Sequence, residues 1–411
     1  MTGRRLMVGV VAAGVLLLPF FLPENGVTIA TRMLIAALFA LAYNLLWRHG
    51  GLLSFGHAVY FGAGMFAAIH LMRLAESGGP ALPLPLIPLA GALAGTIAGV
   101  VLGFLATTRG GTYFAMITLA TGELAYAVGP RWDAVFGGES GISTMRMPWA
   151  GLDFGSQTQV YGLALVWFLV GAAGLHGFAA TPLGRITFAL GENEMRLRAL
   201  GYRTHLTKTA LFAISATVSG LAGALLAVAN ENVDYGIFTG VNSAQPVLQT
   251  FIGGAATFLG PAVGAVVLTW VGNQVSDMTR LWLLYQGLLF VAVVLYAPDG
   301  LTGLLLRERE IARRAGPAAA ACRVALGTAG VASLAFAVVF ISEAAFVLLG
   351  EAYAMRQATD AGRWPDLHLF AHDWPALSPV TWLLPLASLL LGLALLWYAG
   401  RAARPASEAT A

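Results

Sequence analysis

The chain has 411 residues, of which 58% are hydrophobic and only 10% charged, with a mean hydropathy of +0.76. A soluble domain carries about a quarter charged residues, so this balance excludes one and describes a protein integral to a membrane. The formal charge of +3 comes from basic residues that cap apolar segments without gathering into a patch, which excludes a nucleic-acid partner.

A helical crossing needs roughly 20 apolar residues. Runs of that kind predict ten spans, at 6–23, 27–47, 52–72, 83–106, 111–129, 159–179, 209–229, 281–298, 320–346 and 379–399. None shows the apolar–polar alternation of a β-barrel strand. The fifty glycines suit helices packed closely in lipid. The first run, behind Arg4 and Arg5, lacks a small-x-small cleavage site and is read as an uncleaved helix, not a signal peptide.

Those two arginines place the N-terminus in the cytoplasm by the positive-inside rule. Six crossings return the 181–208 segment to that side, where its five basic residues belong. The segment after 209–229 is external and carries Glu231 and Asp234. Arg307, Arg309, Arg313 and Arg314, and later Arg401 and Arg404, are expected inside, so both termini are cytoplasmic. That constrains residues 243–276, where "GPAVG" at Gly260–Gly264 interrupts an apolar run. The run is either a re-entrant pair of half-helices broken there, which satisfies the charge rule, or one long kinked helix that violates it. The re-entrant pair is expected, with Gln249 and Asn273 at its two ends.

Residues 182–203, "PLGRITFALGENEMRLRALGYR", concentrate charge between apolar runs. Helical spacing puts Ile186, Leu190, Leu197 and Leu200 on one face, with Glu192, Glu194, Arg196 and Arg198 on its flanks. Gly191 is expected to split this into two short helices, and Gly201 to stop the second. Such an element either lies on lipid or docks in a groove of a partner; its glutamates suit the second use better.

"PLGR", "ENE" and "ALG" in this order resemble the cytoplasmic coupling segment of ABC importer permeases. More specifically, the chain resembles the LivM-type branched-chain amino-acid permeases. The matching stretches are "GGLLSFGHAVYFGAGMFAA" at 50–68, "GGTYFAMITLATGE" at 110–123, "GGESGIS" at 137–143, "FIGGAATFLGPAVGAVV" at 251–267 and "YAPDGLTGLL" at 296–305. The resemblance implies an ABC importer permease fold over 1–306: an all-α polytopic membrane protein of about ten transmembrane helices and a re-entrant pair. It implies Arg185, Glu192, Asn193, Glu194, Arg198 and Gly201 as the ATPase-coupling residues. It also implies separate ATP-binding ABC subunits, a second LivH-like permease and a periplasmic solute-binding protein as partners, in the inner membrane and its lipid. Sister systems import urea, short amides or aromatic acids on nearly the same scaffold.

No G-x-x-x-x-G-K-[ST] occurs, and Lys208, the only lysine, follows no glycine-rich loop, so the chain does not bind ATP by that route. No enzymatic pattern stands on any span, and neither a cofactor nor a metal is expected. A self-sufficient secondary transporter would need a coupling-ion site, and the spans hold only one deep carboxylate.

That carboxylate is Glu123. An intramembrane acid faces protein or water, so Glu123 either contacts substrate, ties helices together through Thr118, Thr121 or a backbone group, or lies near the external end with water. His57 is expected as a packed, hydrogen-bonded histidine, with Asn44 as its partner or as polar glue between helices. Gly62 and Gly64 read either as close-packing positions or as places where substrate passes the backbone. Asn44, His57, Gly62, Thr118, Glu123 and Gln249 are therefore the translocation-pathway candidates. The 130–158 loop, with Arg131, Asp133, Glu139, Arg146 and Asp153, is either a docking face for a solute-binding protein or a solvated loop.

LivM-type chains end soon after the "APDGLTGLL" match, whereas residues 307–411 add two spans and a loop containing His368, His372 and Asp373. Trp364 and Trp374 favour an interfacial aromatic loop there over a metal site.

Overall fold

The computed structural model describes residue 14 and residues 16–80, 82–359, 364–370 and 372–401. The longer helices are, in order, α1 (Glu24–Gly50), α2 (Ala58–Glu76), α3 (Ile87–Ala106), α4 (Thr112–Val128), α5 (Gln157–Ala180), α6 (Pro182–Glu192) and α7 (Glu194–Ala199). There follow α8 (Thr204–Asn230), α9 (Gly240–Gly253), α10 (Gly260–Ser276), α11 (Trp282–Tyr296), α12 (Gly300–Ala315), α13 (Pro317–Leu348), α14 (Glu351–Thr359) and α15 (Pro379–Arg401). The described residues form two compact units, one of residues up to 279 with 288–303, the other of 280–287 with those from 304 onward.

Seven of the helices are long and apolar enough to cross a membrane, and α11 with α12, bent by 44°, makes an eighth if the pair counts as one span. Of the ten expected spans, 111–129 forms the 17-residue α4. Half of the run 6–23 lies outside the described residues, and within the other half Leu18–Phe20 form a short 3-10 turn.

The first unit is built around α8, and its sequence explains why. Gly91, Gly95, Gly99 and Gly103 recur every fourth residue and so share one face of α3. That face lies directly on α8: a Cβ at Gly95 would overlap the Ala216 carbonyl, and one at Gly91 would meet Ala224 and the Gly220 carbonyl. Small residues thus let two backbones touch, which is how helices gain packing energy where lipid offers no hydrophobic drive. α1 and α2 pack on other faces of α8.

α1 stops at Gly51, whose φ of 62° lets its N–H reach back to the Leu46 and Trp47 carbonyls. Arg48 and His49 in the last turn suit the negative end of the helix dipole. The chain then runs through Leu52–His57 without regular structure before α2 begins at Ala58. The expected span 52–72 is corrected accordingly: its first six residues are not helical, yet Ser54 and His57 are fully buried. Irregular backbone inside a membrane protein is tolerated only where protein or water surrounds it.

Residues 243–276 form two short helices, α9 and α10, folded against each other through Gly253, Gly260 and Gly264. The break lies at Gly254–Leu259, ahead of the expected "GPAVG". Pro261 opens α10 near its N-terminus, where its missing N–H would have no helical acceptor anyway.

On the opposite end of the unit, β1 (Ile142–Ser143) pairs antiparallel with β2 (Asn232–Val233). Thr144 donates to Glu76 at 2.6 Å, and Arg146 forms an ion pair with Glu231 at 3.0 Å. The 130–158 loop is thereby clamped to the ends of α2 and α8.

In the second unit α13 and α15 pack at Gly330 and Gly392, and Ser333 and Ser388 each donate to the other's carbonyl. β3 (Leu367–Leu369) and β4 (His372–Trp374) form a hairpin whose Leu367 and Leu369 bury against Phe340 and Ala344. His368 and Asp373 face each other across it at 2.7 Å, an exposed cross-strand pair. Tyr285 donates to Glu343 at 2.8 Å.

Candidate functional site

His57 is the centre of the buried break between α1 and α2. Its ring stacks on Phe39 and meets the edges of Tyr43, Tyr60 and Phe212. Nε2 lies 2.9 Å from the Ser219 hydroxyl and 3.2 Å from that of Ser215. Both hydroxyls already donate elsewhere, Ser219 to the Ser215 carbonyl and Ser215 to Ala42 of α1. A hydroxyl has one proton, so the shared N–H must be on Nε2, leaving Nδ1 as an acceptor. Of the two roles expected for Asn44, that of partner to His57 Nε2 falls to Ser215 and Ser219. The signal for them was in the sequence: two serines four apart stand on one face of a helix.

Nδ1 of His57, Oδ1 of Asn44, Oγ of Ser54 and Oε1 of Gln249 are all buried with no hydrogen-bond partner among the described residues. Each such atom costs about 1–3 kcal/mol if left dry, and two of the four, on Ser54 and His57, belong to the irregular segment itself, which suits it to a buried water or a polar solute. The segment is also held from α4 and α9. Phe55 N–H donates to Thr118 Oγ1 at 3.1 Å, and Ala58 N–H to Ser243 Oγ at 3.4 Å. Gly56 is required there, because a Cβ would overlap the Thr118 carbonyl.

Thr118 and Thr121 donate to carbonyls within α4, so neither ties down Glu123. Glu123 itself is exposed on this chain, on a helix whose Tyr113, Met116, Leu119 and Leu124 are exposed too. Of the expected roles, a tie through Thr118 or Thr121 is thereby set aside. Gly62 packs against the Phe238 ring, which leaves it a close-packing position.

At the α6–α7 end, Thr181 caps α6 by accepting from the Gly184 N–H. Asn193 caps α7 by accepting from Arg196 N–H at 2.9 Å, so the two helices divide at Asn193 and not at Gly191. Gly191 sits inside α6, where it packs on the His49 carbonyl. Leu190 and Leu197, expected on a stripe offered to lipid or a partner, are instead buried within this chain; Leu200 is 70% exposed and leaves that stripe. With Met195, 82% exposed, it forms part of an uncovered apolar patch beside Tyr202 and Leu206. Arg185 and Glu192 are exposed in α6, and Gly201 takes a φ of 88° to end the element. A cleft of about 430 Å³ adjoins, lined among others by Asn44, Arg48, His49, His176 and Arg185.

Glu194 behaves differently from its neighbours. It turns inward, taking Lys208 Nζ at 2.5 Å on one oxygen and Arg198 at 3.0 Å on the other. Burial works against its charge, yet Lys208, Thr204 and Arg198 together hold its carboxyl below the ordinary carboxylate range.

Seven helices able to cross a membrane, a buried irregular break between α1 and α2 and a charged helical element between α5 and α8 describe a multi-pass membrane protein. The chain belongs to the family described as "Branched-chain amino acid transport system / permease component", which matches residues 25–295. It is similar to the high-affinity branched-chain amino acid transport system permease protein LivM of Salmonella typhimurium, 28% identical over 69% of this chain and 71% of that one. The protein of the same name from Escherichia coli is 27% identical over the same shares. The ribose import permease protein RbsC of Haemophilus influenzae is 23% identical over 53% of this chain and 68% of its own. No solved structure matches the chain.

Proposed function

We propose that this chain is the membrane subunit through which an ATP-driven importer in the inner membrane carries branched-chain or related hydrophobic amino acids. The family and the LivM relatives support that substrate class over urea, amides or aromatic acids. Separate ATP-binding subunits engage the α6–α7 element from the cytoplasm, where both termini lie. A solute-binding protein delivers substrate to the clamped 130–158 loop at the other end.

The observation that carries the reading is the bare face of α4. An acid is not stable against hydrocarbon, and α4 exposes Glu123 between apolar side chains. Such a face meets water and a second permease, so the route runs between two subunits. Asn44, His57, Thr118 and Gln249 line or brace it from this chain's side, and closing of the ATPase pair on α6–α7 switches it between outward and inward access.

The test is purification of the tagged chain in detergent from its own host, followed by reconstitution in liposomes. The reading expects two ATP-binding subunits and a second permease to co-purify, and leucine uptake to require ATP and the binding protein. A chain that purifies alone and moves solute without ATP contradicts it.

A further inference from the structure

Lys208 is the one lysine of the chain and lies at the root of α8, with its side chain only 6% exposed. It spends that buried charge on Glu194, at the first position of α7. Arg198 closes the other carboxylate oxygen at 3.0 Å and also approaches Thr204 of α8 at 3.5 Å. The turn between α3 and α4 covers the pair: a Cβ at Gly110 would lie 3.6 Å from Lys208 Nζ and 3.8 Å from Glu194 Oε2. Both oxygens of Glu194 are thus engaged within this chain, whereas Glu192, Met195 and Leu200 of the same element are exposed.

We propose that Lys208 is a positioning residue for transport, a strut that makes α7 and α8 move as one body. The inference rests on the reading of α6–α7 as the element that ATPase subunits push. A displacement of α7 passes through Glu194 and Lys208 into α8. Seven residues on, about 10 Å along the axis, α8 presents Ser215, and four further Ser219, the two hydroxyls that hold His57 in the buried break. The path from ATPase to substrate route thus consists of one ion pair, one rigid helix and one histidine. Charge pairing suits the first link because a short, shielded ion pair resists both extension and sliding. An apolar contact at the same place would slip.

The experiment uses the assembled complex in liposomes and reads leucine transported per ATP hydrolysed, together with the melting temperature and the ATPase subunits retained. Four variants are compared: Lys208→Met, Glu194→Gln, the two combined, and the exchange Glu194→Lys/Lys208→Glu, made with Arg198→Gln so that no like charge faces position 194. Glu194→Gln orphans the buried Lys208 and Lys208→Met leaves Glu194 with Arg198 alone, so both singles lower the melting temperature and reduce transport per ATP at least tenfold with the ATPase subunits still bound. The combined variant orphans nothing. It regains the melting temperature but stays at least tenfold uncoupled, which a merely structural contact would not do. The exchange rebuilds the strut and returns coupling to within about threefold of wild type.

A combined variant that transports like wild type overturns the proposal, as does an exchange that remains uncoupled. Loss of ATPase subunits from the singles also overturns it, since Glu194 would then be a contact residue. Wild-type protein that retains no ATPase subunit fails at the importer reading itself, and takes the strut with it. A failure confined to the variants leaves that reading standing.

Discussion

α8 and α4 come from the same bundle and are treated in opposite ways. α8 is enclosed on nearly every side: glycines of α3 lie on its backbone, α1 and α2 close other faces, and even its lysine is buried and paired. α4 is held mainly through Phe114, Ala115, Thr118 and Gly122, and leaves an apolar face with an acid on it uncovered. The difference separates scaffold from working surface. In the proposed reading, the helix buried by its own chain sets the geometry, and the acid on the bare face of α4 marks the side that meets the route.

The largest effect belongs to the seam that defines the scaffold. Gly95→Val puts side-chain atoms where the Ala216 carbonyl stands, and backbone cannot retreat as a side chain can. Overpacking costs about 1–3 kcal/mol even in yielding cores, so folded protein recovered by size-exclusion chromatography should fall at least tenfold. A Gly95→Val variant recovered at wild-type yield would dissolve the contrast with α4.

Glu123→Leu should do the reverse, leaving yield and melting temperature near wild type while ATP-driven uptake falls about tenfold. The change removes a charge from a surface this chain does not itself pack, so its own fold has little to lose. Uptake unchanged in proteoliposomes would take Glu123 out of the route.

A smaller effect is expected at the histidine bracket. Ser219→Ala removes the shorter of the two contacts to His57 Nε2 and leaves Ser215 at 3.2 Å. The loss should be about 1 kcal/mol, visible as a modest fall in melting temperature. The smallest is the pH response of Glu194. Its folded carboxyl titrates below the ordinary value of 4.5, so the stabilisation it supplies is complete above that pH and is lost as pH falls through the lower folded value. Melting temperatures of wild type and Glu194→Gln should therefore differ at pH 7 and converge as the buffer is taken below 4.5.

Much of this was legible in the sequence, and the rest was hidden for identifiable reasons. Spans at 27–47, 83–106, 159–179 and 209–229 were readable because apolar length is a local property. So was the pairing of α9 with α10, although the expected break, "GPAVG" at Gly260–Gly264, in fact starts a helix with its proline near the N-terminus. The non-helical run Leu52–His57 was missed because its composition is that of a span, and only contacts with Thr118 and Ser243 reveal that its backbone is satisfied elsewhere. Ser215 and Ser219 lie more than 150 positions from His57, and Lys208 lies 14 from Glu194. No periodicity reports such distances. Glu123 was found by being an acid among apolar residues, but which side of α4 would remain bare depends on every other helix.

The central claim is that the Glu123 face of α4 meets a watery route between subunits. Thiol labelling of Glu123→Cys in the assembled complex tests it most directly, with the exposed Cys322 replaced by serine. The account predicts that a permanently charged, membrane-impermeant thiol reagent modifies position 123 and that substrate delivered by the binding protein slows the reaction. Modification by lipid-soluble maleimide alone, indifferent to substrate, would place this face against hydrocarbon and contradict the account.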